Sequence, residues 1–461
     1  MTTALTLDPH FRPTAPEQTD RWPNLVEMFF GETAKNPLVG WPKETFDVLN
    51  RKQQFLHLTY HGISDPEGIK HVFLDNAANY EKPGFVRATL APTIGEGLFT
   101  AEGPLWRQQR KMMAPVFTPA ALSGFNPIFA KCAEQTADRW ATSNSPVIDV
   151  AAEATRTTFE IIDAALFSGE AGLSFDDSGQ HLEALIAAPA EYRLGFLIGM
   201  PWLDQSALQR RGKIGRKIII DHLADFIARR LASPSPSADF MTRLLDAFGE
   251  HHDPKTAAKL ALDNAVTFFV AGHETTANGL AWALYLLSQD PQAQAWAHEE
   301  AKIAWDAGGS PEDILTRLPY LRMVWDETLR LYPPVPRMDR EAMAEDEICG
   351  QRVRKGEMIS VWPWVVHRHR KLWDRPELFN PENFDPEAKA THHRFQYIPF
   401  GAGPRICIGM AFAQAEGLLT LSHWLARFRF KPVEGHKVEA FAHVTLKPKG
   451  GLPLIVERIK R

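Results

Sequence analysis

From Lys255 to Asp290 the chain runs for 36 residues without a proline. At 1.5 Å per residue a helix of that length reaches ~54 Å, enough to cross an entire domain. Its middle is apolar on nearly every face, with Ala265, Val266, Phe268, Phe269, Val270 and Ala271 in close succession. A helix apolar all round has to be buried, so the rest of the chain must fold around this one. Yet its centre carries Gly272, Glu274, Thr275 and Thr276, a set poor in helix propensity and costly to bury. Two readings stay open at this point: a satisfied polar kink in a core helix, or a cavity in which polar groups are placed for chemistry.

The remaining patterns agree with a mainly helical chain. Asp65-Pro66 and Thr118-Pro119 each set a capping residue before a first-turn proline. Helical periodicity predicts further helices over about 104–113, 118–141, 149–168, 181–232 with a break, 291–306, 319–332 and 409–427. Strand patterns are fewer: one at 54–62, one at 352–362, and the last thirty or so residues. The expected fold class is therefore mainly α with small β-sheets near both ends. All 461 residues are expected to form a single domain, with residues 1–45 as an N-terminal extension packed on it. The Ser233–Ala238 run SPSPSA reads as a surface connection, since helical patterns continue on both sides.

Composition removes several function classes. The net charge of -5 argues against a nucleic-acid binder, which is usually basic. Three cysteines, Cys132, Cys349 and Cys407, lack the spacing of a disulfide framework or a four-cysteine metal site, and point to a reducing, cytoplasmic compartment. No segment approaches the ~20 consecutive apolar residues of a membrane span, so no transmembrane anchor is expected. His273-Glu274 is not a zinc-protease motif, because position 277 is alanine. His367-Arg368-His369 and His392-His393 read as surface histidines rather than metal ligands.

The decisive segment is Phe400-Gly401-Ala402-Gly403-Pro404-Arg405-Ile406-Cys407-Ile408-Gly409, followed by an apolar helical run. A cysteine where a loop enters a helix feels the positive end of the helix dipole and its unpaired N–H groups. Both favour thiolate over thiol. One thiolate suffices for a metal whose other ligands come with a cofactor, as in haem. Here the chain resembles the cytochrome P-450 superfamily of haem-thiolate monooxygenases, in its soluble bacterial type. The signature F-x-x-G-x-R-x-C-x-G is met in full by Phe400, Gly403, Arg405, Cys407 and Gly409. Three further motifs appear in the family's order: Trp106 to Arg110 for W-x-x-x-R, Ala271 to Thr276 for the central-helix motif, and Glu327 to Arg330 for E-x-x-R.

The resemblance implies a P-450-like fold whose long central helix crosses a haem b bound through Cys407. It implies propionate or ring contacts from Trp106, Arg110, Arg340, Phe400, Arg405 and Gly409. Glu274 and Thr275 become the proton-delivery pair. Glu327 and Arg330, three apart on one helix face, become a buried structural pair rather than an exposed one. The family often adds an arginine from a P-E-R-F segment. This chain has Pro381-Glu382-Asn383-Phe384, which leaves open whether Asn383 takes over that contact. A substrate pocket is expected from Phe85, Leu98, Val270, Ala271, Gly272 and Val335, within a loop 84–100, a stretch 194–202 and the central helix. Its composition calls for a hydrophobic small molecule.

On the same resemblance, dioxygen is the co-substrate: one atom enters the substrate and the other leaves as water. Electrons come from a separate ferredoxin or flavodoxin with its reductase, since the sequence has too few cysteines for an iron–sulfur cluster of its own. Arg107, Lys111, Arg368 and Lys371 are candidates to steer such an acidic partner. Two rivals are carried alongside. One keeps the haem but runs as a peroxide-driven hydroxylase, an isomerase or a dehydratase. The other is a haem sensor or carrier without turnover.

Overall fold

The computed structural model describes residues 11–55, 58–187, 206–233 and 239–459. The predicted 194–202 pocket stretch, and nearly all of the Ser233–Ala238 run, lie outside these residues. The backbone separates into two compact units. One comprises 84–128 and 155–274; the other comprises 1–83, 129–154 and 275–461. The central helix, Pro254–Gln289, contributes its first part to the former and its last part to the latter.

Among the described residues the 84–128 and 155–274 unit is helical. Edge-to-face aromatic contacts fill its interior, with Phe159 against Phe269 at 5.2 Å and Phe167 against Phe226 at 5.5 Å. A second ring cluster joins Phe117, Phe240 and Phe268. The segment expected as a loop at 84–100 is instead a helix over Gly84–Ile94, followed by a turn. The helix carries Pro92 within its last turn and ends before Gly95. That turn is fixed from the central helix, where Asn264 Oδ1 accepts the Leu98 N–H at 2.8 Å.

The other unit holds every described sheet. The largest has strand order β1-β2-β6-β4-β3, built from β1 (Asn50–Phe55), β2 (Leu58–Ile63), β3 (Tyr80–Glu81), β4 (Met338–Ala342) and β6 (Met358–Val361). The single strand expected at 54–62 is thus replaced by an antiparallel pair in register Asn50↔Ile63. No Gly, Asn or Pro marks the reversal, so the usual turn chemistry was missing from the sequence pattern. The strand expected at 352–362 is also divided, into β5 (Gln351–Val353) and β6, by a turn with Gly356 at φ +82°.

Apolar residues of this unit pack from Ile63, Ile69, Phe73 and Tyr80 through Ile359 and Val361 to Phe395 and Ile398. The N-terminal extension is stitched onto the same unit. Tyr332 donates to the Thr14 carbonyl at 2.7 Å, and the Thr14 N–H donates to the Tyr285 hydroxyl at 3.1 Å. Trp325, on the helix Pro319–Leu331, wedges between two glycines on different helices. A Cβ at Gly279 or Gly417 would lie 2.8 Å or 2.4 Å from its ring. The N-terminus of Pro319–Leu331 has no cap of its own, and Glu300 accepts the Tyr320 and Leu321 N–H groups, each at 2.8 Å.

Candidate functional site

The cysteine segment is a turn of two left-handed glycines leading into the helix Met410–Arg427. Gly401 and Gly403 have φ of +72° and +66°. At Gly403 even conformational freedom is secondary, because a Cβ there would lie 1.7 Å from the Phe73 carbonyl oxygen. The Cys407 N–H closes the loop onto the Phe400 carbonyl at 2.9 Å. The helix begins at Met410 with Gly409 as N-cap and no side-chain cap, which leaves its positive end toward the Cys407 turn. A Cβ at Gly409 would meet the Cys407 Sγ only at 4.0 Å, an ordinary contact distance.

Cys407 is exposed and forms no disulfide, on a loop whose flanks at Phe395, Ile398 and Ala402 are buried. The other two cysteines contrast with it. Cys132 is buried, and burial pushes the Cys349 thiol up, away from thiolate. In the same unit Arg405 and Arg340 are half-buried. The Arg340 guanidinium lies over the Phe73 ring at 4.8 Å and donates to the Asp339 carbonyl. Phe73 thus supports two expected site residues: its carbonyl excludes any side chain at Gly403, and its ring carries Arg340.

Behind the loop stands the E-x-x-R helix. Glu327 and Arg330 are both fully buried and paired through two hydrogen bonds of 2.6 and 2.7 Å. The remaining guanidinium N–H groups reach the carbonyls of His367, Pro376 and Leu378 at 2.7 to 2.9 Å, so all five donors are satisfied. Glu327 also accepts the Asn380 N–H at 2.8 Å and the Asn383 side-chain amide at 3.3 and 3.4 Å. Asn383 therefore occupies the contact that an arginine makes in the family pattern, and the buried pair stays charge-neutral without a third ion.

His367 carries this helix to the cysteine loop, a role the sequence reading missed. Its Nε2 accepts the Ile398 N–H at 2.9 Å, so Nδ1 holds the proton and donates to the Arg330 carbonyl. Burial lowers its pKa to about 3, which keeps the ring neutral. The expectation that His367 and His369 lie on the surface is corrected, since both are fully buried. Arg368 is likewise buried, stacked on Trp364 at 3.5 Å, and is withdrawn from the partner-steering set. Arg107, Lys111 and Lys371 are exposed. Nothing local in the sequence marks His367 for burial; it follows the short helix Pro363–Val366, whose residues are all buried.

On the central helix every residue from Ala277 to Ser288 is buried, but Val270, Gly272, Glu274 and Thr275 are half-buried and Ala271 is exposed. The polar centre therefore stands among partly exposed residues just before the buried run from Thr276 to Ser288. Thr158 donates to the His273 carbonyl at 2.8 Å, tying the helix Val150–Phe167 to the polar centre. Gly272 serves packing there, because a Cβ would meet Ile162 at 2.8 Å.

Trp106 and Arg110 share one face of the helix Gly103–Met113, and both are half-buried, between exposed Arg107 and Lys111. Gln109 ties this helix inward, donating to the Glu96 carbonyl and accepting from Asn264. Of the expected pocket residues, Leu98 is buried and Phe85 half-buried in this unit, while Val335 is exposed in the other. A cavity of about 310 Å³ beside Gly84–Ile94 is lined by Arg87, Ala91, Glu96, Thr100 and Leu105 rather than by Phe85 or Leu98.

An exposed cysteine before an uncapped helix, with half-buried Arg340 and Arg405 in the same unit, suits a haem held through sulfur with cations for its propionates. Such a donor set is the one a haem-thiolate protein needs. The Cytochrome P450 family model matches residues 22–454, and the chain belongs to that family. It is accordingly a haem-dependent oxidoreductase of the monooxygenase type, using dioxygen, a substrate and a redox partner. It is 29% identical to the chloroplastic protein LUTEIN DEFICIENT 5 of Arabidopsis thaliana, over 94% of this chain and 80% of that one. Cyclooctatin synthase of Streptomyces melanosporofaciens is also 29% identical, over 85% of each chain. A cytochrome P450DA heme domain shares the fold at TM-score 0.77 and 23% identity, covering 89% of this chain and 90% of that one. No helix among the described residues is long and apolar enough to cross a membrane.

Proposed function

We propose that the chain binds haem b through Cys407 and inserts one atom of dioxygen into a hydrophobic small molecule, with electrons from a separate ferredoxin or flavodoxin and its reductase. The family match runs through both compact units, which supports their working as one catalytic domain. The haem supplies dioxygen activation, tuned by the electron-rich thiolate. Arg340, Arg405, Trp106 and Arg110 hold its propionates and orient it. The small side chains at Val270 and Ala271 leave room for an apolar substrate. Glu274 brings protons, and the Thr275 hydroxyl holds one at the position where oxygen is to be cleaved.

The observation that carries this reading is the adjacent Glu274 and Thr275, half-buried directly before the fully buried run from Thr276 to Ser288. A carrier has no use for a proton-delivering pair there, and isomerase or dehydratase chemistry needs no proton delivered to dioxygen. A cytoplasmic site of action is supported by three cysteines that form no disulfide. The test is reconstitution: the purified holoenzyme is screened for compounds that shift the ferric Soret band, and each hit is incubated with reduced ferredoxin or with peroxide alone. Product that requires ferredoxin and dioxygen supports the proposal. Equal product from peroxide alone transfers the assignment to a peroxide-driven hydroxylase, and substrate conversion without either oxidant transfers it to an isomerase or dehydratase.

A further inference from the structure

Arg340 and the Cys407 loop stand on different elements, and one residue touches both. The Phe73 ring lies 4.8 Å from the Arg340 guanidinium, and the Phe73 carbonyl fills the space that a side chain at Gly403 would need. Phe73 belongs to the π-turn His71–Asp75, closed by the Asn76 N–H on the His71 carbonyl at 2.8 Å. Turns of this kind are rare and gather at functional sites. Three side chains from the stretch 71–80 converge on one carboxylate oxygen outside it. Asp346 Oδ2 accepts from His71 Nε2 at 2.8 Å, from the Asn76 amide at 3.0 Å and from the Tyr80 hydroxyl at 2.5 Å. Its other oxygen accepts the Glu347 N–H at 2.8 Å.

Only an ionised carboxylate can accept from so many donors at once. Burial alone would raise the Asp346 pKa, but the bonds from Tyr80, His71 and the Glu347 and Asn76 N–H groups bring it down to about 2. Charge-assisted bonds of this sort are roughly twice as strong as neutral ones. The same stretch also grips the strand that carries Arg340. Strand β3 pairs with β4 at Tyr80↔Ala342 and Glu81↔Glu341, and Asn79 accepts the Ala344 N–H at 2.7 Å. We propose that Asp346 is a positioning residue for the haem: it anchors the His71–Asp75 turn, so that Phe73 holds Arg340 and the Cys407 loop in one fixed relation. The consequence for the haem rests on the contacts proposed above for Cys407 and Arg340; the anchoring of the turn does not.

Two measurements on the holoenzyme separate these. Hydrogen exchange of the peptide covering 71–76 should speed up by about tenfold or more in Asp346→Ala, the loss expected for a hydrogen bond to a charged group. Unchanged exchange would overturn the anchor, whatever the enzyme catalyses. The second measurement is the ferric–ferrous midpoint potential in Asp346→Ala, Asp346→Asn and Phe73→Leu, the last of which keeps the carbonyl and alters the ring. An arginine displaced from the propionates takes positive charge from the haem and lowers the potential, whereas loss of the Asp346 charge alone raises it. Positioning therefore predicts a lower potential in Asp346→Ala and in Phe73→Leu, with a smaller drop in Asp346→Asn, which keeps one acceptor oxygen. The Asp346→Ala/Phe73→Leu double variant should fall no further than Phe73→Leu. A raised or unchanged potential in both Asp346 variants, or additive drops in the double variant, would overturn the positioning role. If Asp346→Ala loads no haem, Asp346→Asn carries the same comparison. A wild-type protein lacking the red-shifted carbon monoxide band would sink the haem reading by itself, while the exchange measurement still judges the anchor.

Discussion

At the scale of single residues, the two halves of the chemistry make separate predictions. Cys407→Ser should abolish the red-shifted Soret band of the reduced carbon monoxide complex, whereas Cys132→Ser and Cys349→Ser should keep it. Retention of the band in the first variant would assign the ligand elsewhere. Thr275→Ala removes a half-buried hydroxyl and few contacts, so haem content and substrate binding should stay near wild type. What should change is the branch between product and peroxide, since misplacing a positioned group by ~1 Å costs on the order of a hundredfold. Glu274→Gln should instead slow dioxygen-driven turnover by about 10²- to 10⁴-fold, the usual contribution of a general acid–base group. Oxygen-electrode and peroxide assays on both variants separate the two roles.

At the scale of elements, the Pro319–Leu331 helix is the support for the cysteine loop, and its buried pair is all-or-none. Removing one member leaves the other charged and unpaired, so Glu327→Ala or Arg330→Ala should cost about 3–5 kcal/mol and yield little haem-loaded protein. Asn383→Ala removes only long, neutral-donor contacts, and should cost about 0.5–1.5 kcal/mol in denaturant unfolding. A loss as large as that of Arg330→Ala would mean that Asn383 does more than replace a peripheral cation. How much of this was readable beforehand follows from where the information resides. The central helix and the cysteine loop are local patterns, so their extents and the spacing of Glu327 and Arg330 were legible in the chain. Asn383 and His367 act through partners 56 and 31 residues away, at Glu327 and Ile398. No periodicity encodes such pairings, which is why His367 was assigned to the surface. The need for glycine at 403 was visible as a motif, but its cause, the Phe73 carbonyl, exists only in the folded chain.

At the scale of the whole molecule, buried neutral histidines set an acid limit. Burial lowers the His423 pKa to about 4, and its ring meets Trp305 edge-on at 4.8 Å. A depressed pKa means that the linked stability is full above 6.5 and lost as pH falls toward about 4. The thermal midpoint of His423→Gln should thus fall less steeply than that of wild type over this window, as scanning calorimetry would show. Identical slopes would mean that His423 is protonated in the fold or reached by water. The wedge of Trp325 between Gly279 and Gly417 has a consequence for inheritance. Neither glycine can change alone while the indole is present, and a smaller residue at 325 leaves a hole until one of them grows. The three positions form one mutational unit: a lineage leaving this arrangement must pass through a defective intermediate, whereas paired replacement at 325 and one glycine gives a designer a direct path to a repacked core.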